Sequence, residues 1–145
     1  MTDVTVPHSI IALVFYALWA LALVLMIAAD RLLLVAKGEM KNNAFASGVP
    51  HGTESYWRIN RAHINTCENL AIFAAIVLCG WVAGMESATF NLLATIVVVA
   101  RIVQSVVHIF SGSQGATWLR TLAFAVQIVC EIWMAILILV AINIF

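Results

Sequence analysis

Residues 10–29 read IIALVFYALWALALVLMIAA, twenty positions without a single charge. As an α-helix this run extends about 30 Å, the thickness of a bilayer's hydrocarbon core. The apolar pattern resumes past Asp30 and Arg31 and continues to Ala36. The first nine residues contain no Lys or Arg, so the run reads as a retained span rather than a cleaved signal.

The rest of the chain supports the same solvent. Of 145 residues, 64% are hydrophobic and 10% charged, with mean hydropathy +1.06. Soluble domains run nearer 45–50% apolar and about 25% charged. The formal net charge is zero, which gives no footprint for nucleic acid. Cys67, Cys79 and Cys130 form no CxxC pair and no zinc spacing with histidine, so they read as small buried hydrophobes, and no metal site is expected. His8, His51 and His63 suggest no special role.

The chain is expected to be one domain, residues 1–145. Four helices are placed at about residues 8–37, 56–84, 88–110 and 117–144. Lys37 to Ser55 is the one long polar stretch, broken by Gly38, Gly48, Pro50 and Gly52. Met85-Glu86-Ser87 reads as a tight turn, and Ser111 to Gly115 as a loop. Short connections make neighbours antiparallel. The fold class is therefore all-α, an integral membrane four-helix bundle running up-down-up-down.

All seven basic residues lie in the first or third loop, or in the helix halves that approach those loops. They are Arg31, Lys37, Lys41, Arg58, Arg61, Arg101 and Arg120. The positive-inside rule then puts loops 1 and 3 in the cytoplasm and both termini outside.

Three helices carry polar stripes on an apolar ground. At 100° per residue, Asn65 falls about 40° and Glu68 about 20° from Arg61 on the second helix. On the third, Gln104, Ser105 and His108 lie within about 60° of Arg101. On the fourth, Phe124, Gln127 and Glu131 lie within about 40° of Arg120. Each intramembrane charge costs roughly 2.5–3.5 kcal/mol on insertion scales, so these groups must meet one another, a wet cavity or another subunit. Glu68 is a candidate partner for Arg61 or Arg101, and Glu131 shares the face of Arg120. Internal pairing that fixes helix register is the plainer reading. Arginines outnumber carboxylates in the cytoplasmic half, however, and an anionic ligand would complete the set. Asp30 and Arg31 read as a local ion pair near the headgroups or as part of the same site. Gly80 and Gly84 form a GxxxG pattern, which favours close packing and allows oligomerisation.

The stretch Arg61-Ala62-His63-Ile64-Asn65-Thr66-Cys67-Glu68-Asn69 resembles the R-A-H-x-N-x-x-E-N signature of the MAPEG family, membrane-associated proteins in eicosanoid and glutathione metabolism. Ala44-Phe45-Ala46 resembles that family's K-A-F-A, and Ala100-Arg101 its helix-3 motif. Arg120, one turn into the fourth helix, matches an arginine that the family uses at its thiol. The resemblance spans nearly the whole chain and is closest to the bacterial members similar to microsomal glutathione transferases. It implies a homotrimer in a bacterial inner membrane, with glutathione bound near the cytosolic face and a lipophilic substrate arriving from the surrounding lipids. It further implies that Arg120 is catalytic. The tripeptide would be held by Arg61, Asn65, Glu68, Arg101, Gln104, His108, Phe124 and Gln127.

Departures from the pattern bear on activity. The family's R-x-x-H-x-x-x-Y on helix 3 is Arg101, Gln104 and His108 here. A helix-4 tyrosine is Phe124, an arginine beside the helix-2 asparagine is Ile64, and a basic residue after helix 1 is Glu39. Two functions follow as expectations: a thiol transferase or peroxidase acting on lipophilic electrophiles, and a non-catalytic protein that binds a lipid or a membrane partner. A channel fits poorly, because the charges occupy only one half of the span.

Overall fold

A computed structural model describes residues 6–46, 49, 52–85 and 87–142. His51, Gly48, Pro50, Glu86 and Ile144, which enter the sequence reading, lie outside the described residues. Among those described, all regular structure is α-helix. The helices are α1 (His8–Ala36), α2 (Glu54–Val82), α3 (Ala88–Phe110) and α4 (Gln114–Ala141). All four are long and apolar enough to cross a bilayer, and their outward faces carry Leu, Val, Ile, Phe and Trp. In lipid only such closed backbone hydrogen bonding is viable. The protein is a multi-pass membrane protein built as a four-helix bundle.

Capping residues set the boundaries. Thr53 Oγ1 accepts from Tyr56 N at 3.2 Å and starts α2 two residues before the expected Tyr56. Ser113 Oγ accepts from Ala116 N at 3.2 Å. That cap draws Gln114 and Gly115, expected as loop, into the first turn of α4. Gly38 and Gly84 take φ of +72° and +68° just past the ends of α1 and α2, a left-handed closure open to glycine at little cost. Gly84 therefore terminates α2 at Val82 rather than extending it. Its GxxxG partner Gly80 packs inside the chain: an added Cβ would come within 2.5 Å of Phe90 Cζ. The pattern serves the α2–α3 contact, and nothing in it calls for a second copy.

Consecutive helices are antiparallel, and α3 is central. It packs along α4 and also against α1 and α2, whereas the backbones of α1 and α4 stay apart. One core cluster draws on all four helices, with Tyr16, Phe73, Phe90, Val97 and Met134 among its fully buried members. A second cluster, Leu23, Ile27, Tyr56, Ile59, Ala62 and Ile109, comes from α1, α2 and α3 alone. It lies at the end of the bundle that carries loops 1 and 3.

Loop 1 is fastened to this second cluster. Arg31 Nε donates to Tyr56 Oη at 2.8 Å, and its guanidinium lies 5.1 Å over the Phe45 ring. Arg31 thus neither pairs with Asp30 nor lines a site. The ion pair among the described residues is Arg58 with Glu54, on the outer surface of α2. Cys67 and Cys79 also differ from expectation, being exposed while Cys130 is buried. The inward stripe of α2 runs through Ala62, Thr66, Asn69, Phe73, Val77 and Gly80, and both cysteines fall off it.

Candidate functional site

Because α4 meets α2 only briefly, a cleft opens between them with α3 as its floor. Its volume is about 240 Å³. Arg61 and Asn65 form the α2 wall, and Arg101, Gln104, Ser105 and His108 the floor. Thr117, Arg120, Thr121 and Phe124 form the α4 wall.

Arg101 is the deepest charge, 1% exposed. Its Nη1 donates to Asn65 Oδ1, and its guanidinium carbon sits 5.8 Å from the Tyr16 ring centroid. Nε and Nη2 are buried without a hydrogen-bond partner in the chain. Below it, Tyr16 Oη donates to Thr66 O at 3.3 Å, and the Thr66 and Ser105 hydroxyls are 3.3 Å apart. These contacts tie α1, α2 and α3 together beneath the guanidinium.

Arg120 is held from two sides. Its Nη1 donates to His108 Nδ1, and its Nη2 to Thr117 Oγ1 at 3.1 Å. A guanidinium has no lone pair to offer, so His108 Nδ1 accepts and the ring is neutral in this arrangement. Gln127 Nε2 donates to Gln104 Oε1 at 3.0 Å and to Ala123 O at 2.9 Å. Arg61 is exposed and makes no hydrogen bond or ion pair to another described residue.

The structure gathers Arg61, Asn65, Arg101, Gln104, His108, Arg120 and Phe124 around one cleft. Gln127 stands behind Gln104, fully buried, and steadies it. Glu68 lies on the exposed flank of α2, outside the cleft, and Arg101 takes Asn65 rather than Glu68 as its partner. Glu131 does not meet Arg120, because the eleven residues between them are about 16 Å of helix. It is buried deeper, near Arg101. Sequence reasoning missed Tyr16, whose place in an unbroken apolar run hides its role. It also missed Thr117 and Thr121, although their i, i+4 spacing beside Arg120 was a usable signal.

Among the described residues no carboxylate lines this cleft, while three arginines do. The two orphaned Arg101 nitrogens have the donor chemistry to meet a carboxylate or another oxyanion. Among the described residues no three His, Cys, Asp or Glu side chains cluster as a metal would require. Fold and cleft together define a multi-pass helical membrane protein with a positively charged, side-opening pocket. The model of the MAPEG family matches residues 9–140, and the chain belongs to that family. It is thus a membrane protein of the glutathione and eicosanoid metabolism family. No curated protein and no solved structure matches the chain.

Proposed function

We propose that the protein is a membrane-bound thiol transferase, activating glutathione or a related thiol for attack on lipophilic electrophiles, with peroxidase-like reduction of hydroperoxides at the same site. The observation that carries this reading is the meeting of Arg61, Arg101 and Arg120 at a cleft lined by no carboxylate. Glutathione brings two carboxylates and a thiol. Arg61 suits a carboxylate directly and the buried charge of Arg101 adds to the field behind it, with Asn65 and Gln104 as neutral partners. Arg120 beside the sulfur favours the thiolate, which is the nucleophile. In conjugation the thiolate sulfur bonds to the electrophilic carbon, the leaving group departs with its electron pair, and the thiol proton goes to water.

The cleft is smaller than the roughly 300–1,000 Å³ of complete ligand sites, and its side between α2 and α4 is open. That open side leaves room for a neighbouring copy, which is consistent with a homotrimer whose sites are shared. The basic residues around loops 1 and 3 support a cytoplasmic opening and outward termini, and the resemblance to bacterial members suggests an inner membrane as the setting. Calorimetric titration of glutathione into the detergent-purified protein tests the reading. Saturable heat and a glutathione-dependent rise in Tm are expected. A blank titration, together with no turnover of any aryl halide or hydroperoxide, would sink it.

One observation favours a second reading, a non-catalytic protein binding a lipid or a membrane partner. Arg120 is already engaged by His108 and Thr117, and Phe124 brings no hydroxyl to the cleft. Native mass spectrometry that finds a retained lipid, with calorimetry silent for glutathione, would select it.

A further inference from the structure

Among the described residues, five of the six buried side-chain atoms without a hydrogen-bond partner belong to one neighbourhood: Asn69 Nδ2, Arg101 Nε and Nη2, Gln127 Oε1 and Glu131 Oε1. Helix register explains why they share a depth. The Gln127–Gln104 hydrogen bond aligns α4 with antiparallel α3. Moving away from their connection, Arg101 comes three residues beyond Gln104, about 4.5 Å, and Glu131 four beyond Gln127, about 6 Å. Asn69 stands one turn beyond Asn65, which holds Arg101 Nη1. All four side chains are at least nine-tenths buried.

Arg101 and Glu131 make no direct ion pair, yet each lies within electrostatic range of the other. Three orphaned donors and two orphaned acceptors therefore occupy one layer of a bundle whose exterior is lipid. An unpaired charge or amide there is costly, and the usual remedy is bound water with two to four polar partners.

We propose that this layer is a built water site bridging Glu131 to Arg101. Glu131 is thereby the internal counter-ion of Arg101 and a positioning residue for it, setting how much positive charge the cleft presents to an anion. The inference does not depend on which thiol, if any, the cleft takes. It follows that the cleft's free positive charge belongs to Arg61 and Arg120, while Arg101 is largely balanced from behind.

Three readouts on the full chain in lipid nanodiscs test the assignment. X-ray radiolysis in ¹⁸O-labelled water should label Met134, which is 0% exposed yet within one turn of Glu131. Glu131→Gln should tighten the binding of inorganic sulfate by about fivefold, because a buried negative charge behind Arg101 is removed. Its infrared difference spectrum should show the loss of an ionised carboxylate. Because either single loss of charge risks misfolding, Arg101→Leu/Glu131→Leu serves as the companion variant. Its Tm should exceed that of both singles. An unlabelled Met134, unchanged sulfate affinity, loss of a protonated carboxyl band or additive Tm effects would each overturn the proposal.

Discussion

The two halves of the bundle differ in what α4 does. Away from loops 1 and 3, α4 contributes Cys130, Met134 and Ile138 to a core shared by all four helices. Toward those loops it contributes nothing to the cluster of Leu23, Ile27, Tyr56, Ile59, Ala62 and Ile109. There its inward residues are Thr117, Arg120, Thr121 and Phe124, which line the cleft instead. Apolar side chains interdigitate and close one half. Arginine, threonine and amide groups hold the other half apart, because each must keep a polar partner within reach. The cleft is the place where a dry core cannot continue.

The largest effect expected from this contrast lies in the closed half. Phe73 is fully buried there, its ring 5.3 Å from that of Tyr16. Phe73→Ala should cost about 3–5 kcal/mol, seen as a large fall in Tm. A similar Tm would mean that this half is less tightly packed than described. In the open half, Arg120→Ala should reduce glutathione-dependent conjugation of an aryl halide about 100-fold while leaving Tm within a few degrees. Turnover retained at the native rate would remove Arg120 from the chemistry.

A smaller effect is expected at the seam of α2 and α3. Gly80→Ala sets a methyl against the Phe90 ring and should destabilise by about 1–3 kcal/mol, with glutathione affinity per folded protein unchanged. If instead the substitution alters the oligomer and leaves Tm alone, Gly80 serves an interface between copies. The smallest effect belongs to Arg58, paired with Glu54 on the surface. Arg58→Ala should move stability by less than about 0.5 kcal/mol, measured by thermal denaturation.

The first span was legible because a charge-free run of twenty residues has one physical meaning, and the other three because their few charges keep to one stripe of an apolar helix. The arginine stripes were legible because helical angle alone brings Arg61 to Asn65 and Arg101 to His108. Two kinds of feature were not. Local caps shift boundaries by two or three residues, as Ser113 does when it makes helix of Gln114 and Gly115. Pairings between helices depend on depth as well as angle. Glu131 shares a face with Arg120, but the rise along α4 sends it to the level of Arg101. Glu68 shares a face with Arg61 yet points away from the cleft, since the inward line of α2 runs through Thr66 and Asn69. Tyr16 illustrates a third difficulty: an aromatic in an apolar run carries no mark of the guanidinium it will lie beneath.

The Arg31–Tyr56–Phe45 clasp bears on the order in which the molecule is made. It binds α1 to α2 through loop 1, and its three side chains all come from that first half of the chain. The first hairpin therefore has contacts of its own at its loop end before the second emerges, and chain segments generally fold in the order they emerge. The cleft takes one wall from the first hairpin and its floor and other wall from the second. It does not exist as a place until α3 docks with α4 beside it. The charged site is thus the part of the molecule that requires both hairpins to be in place.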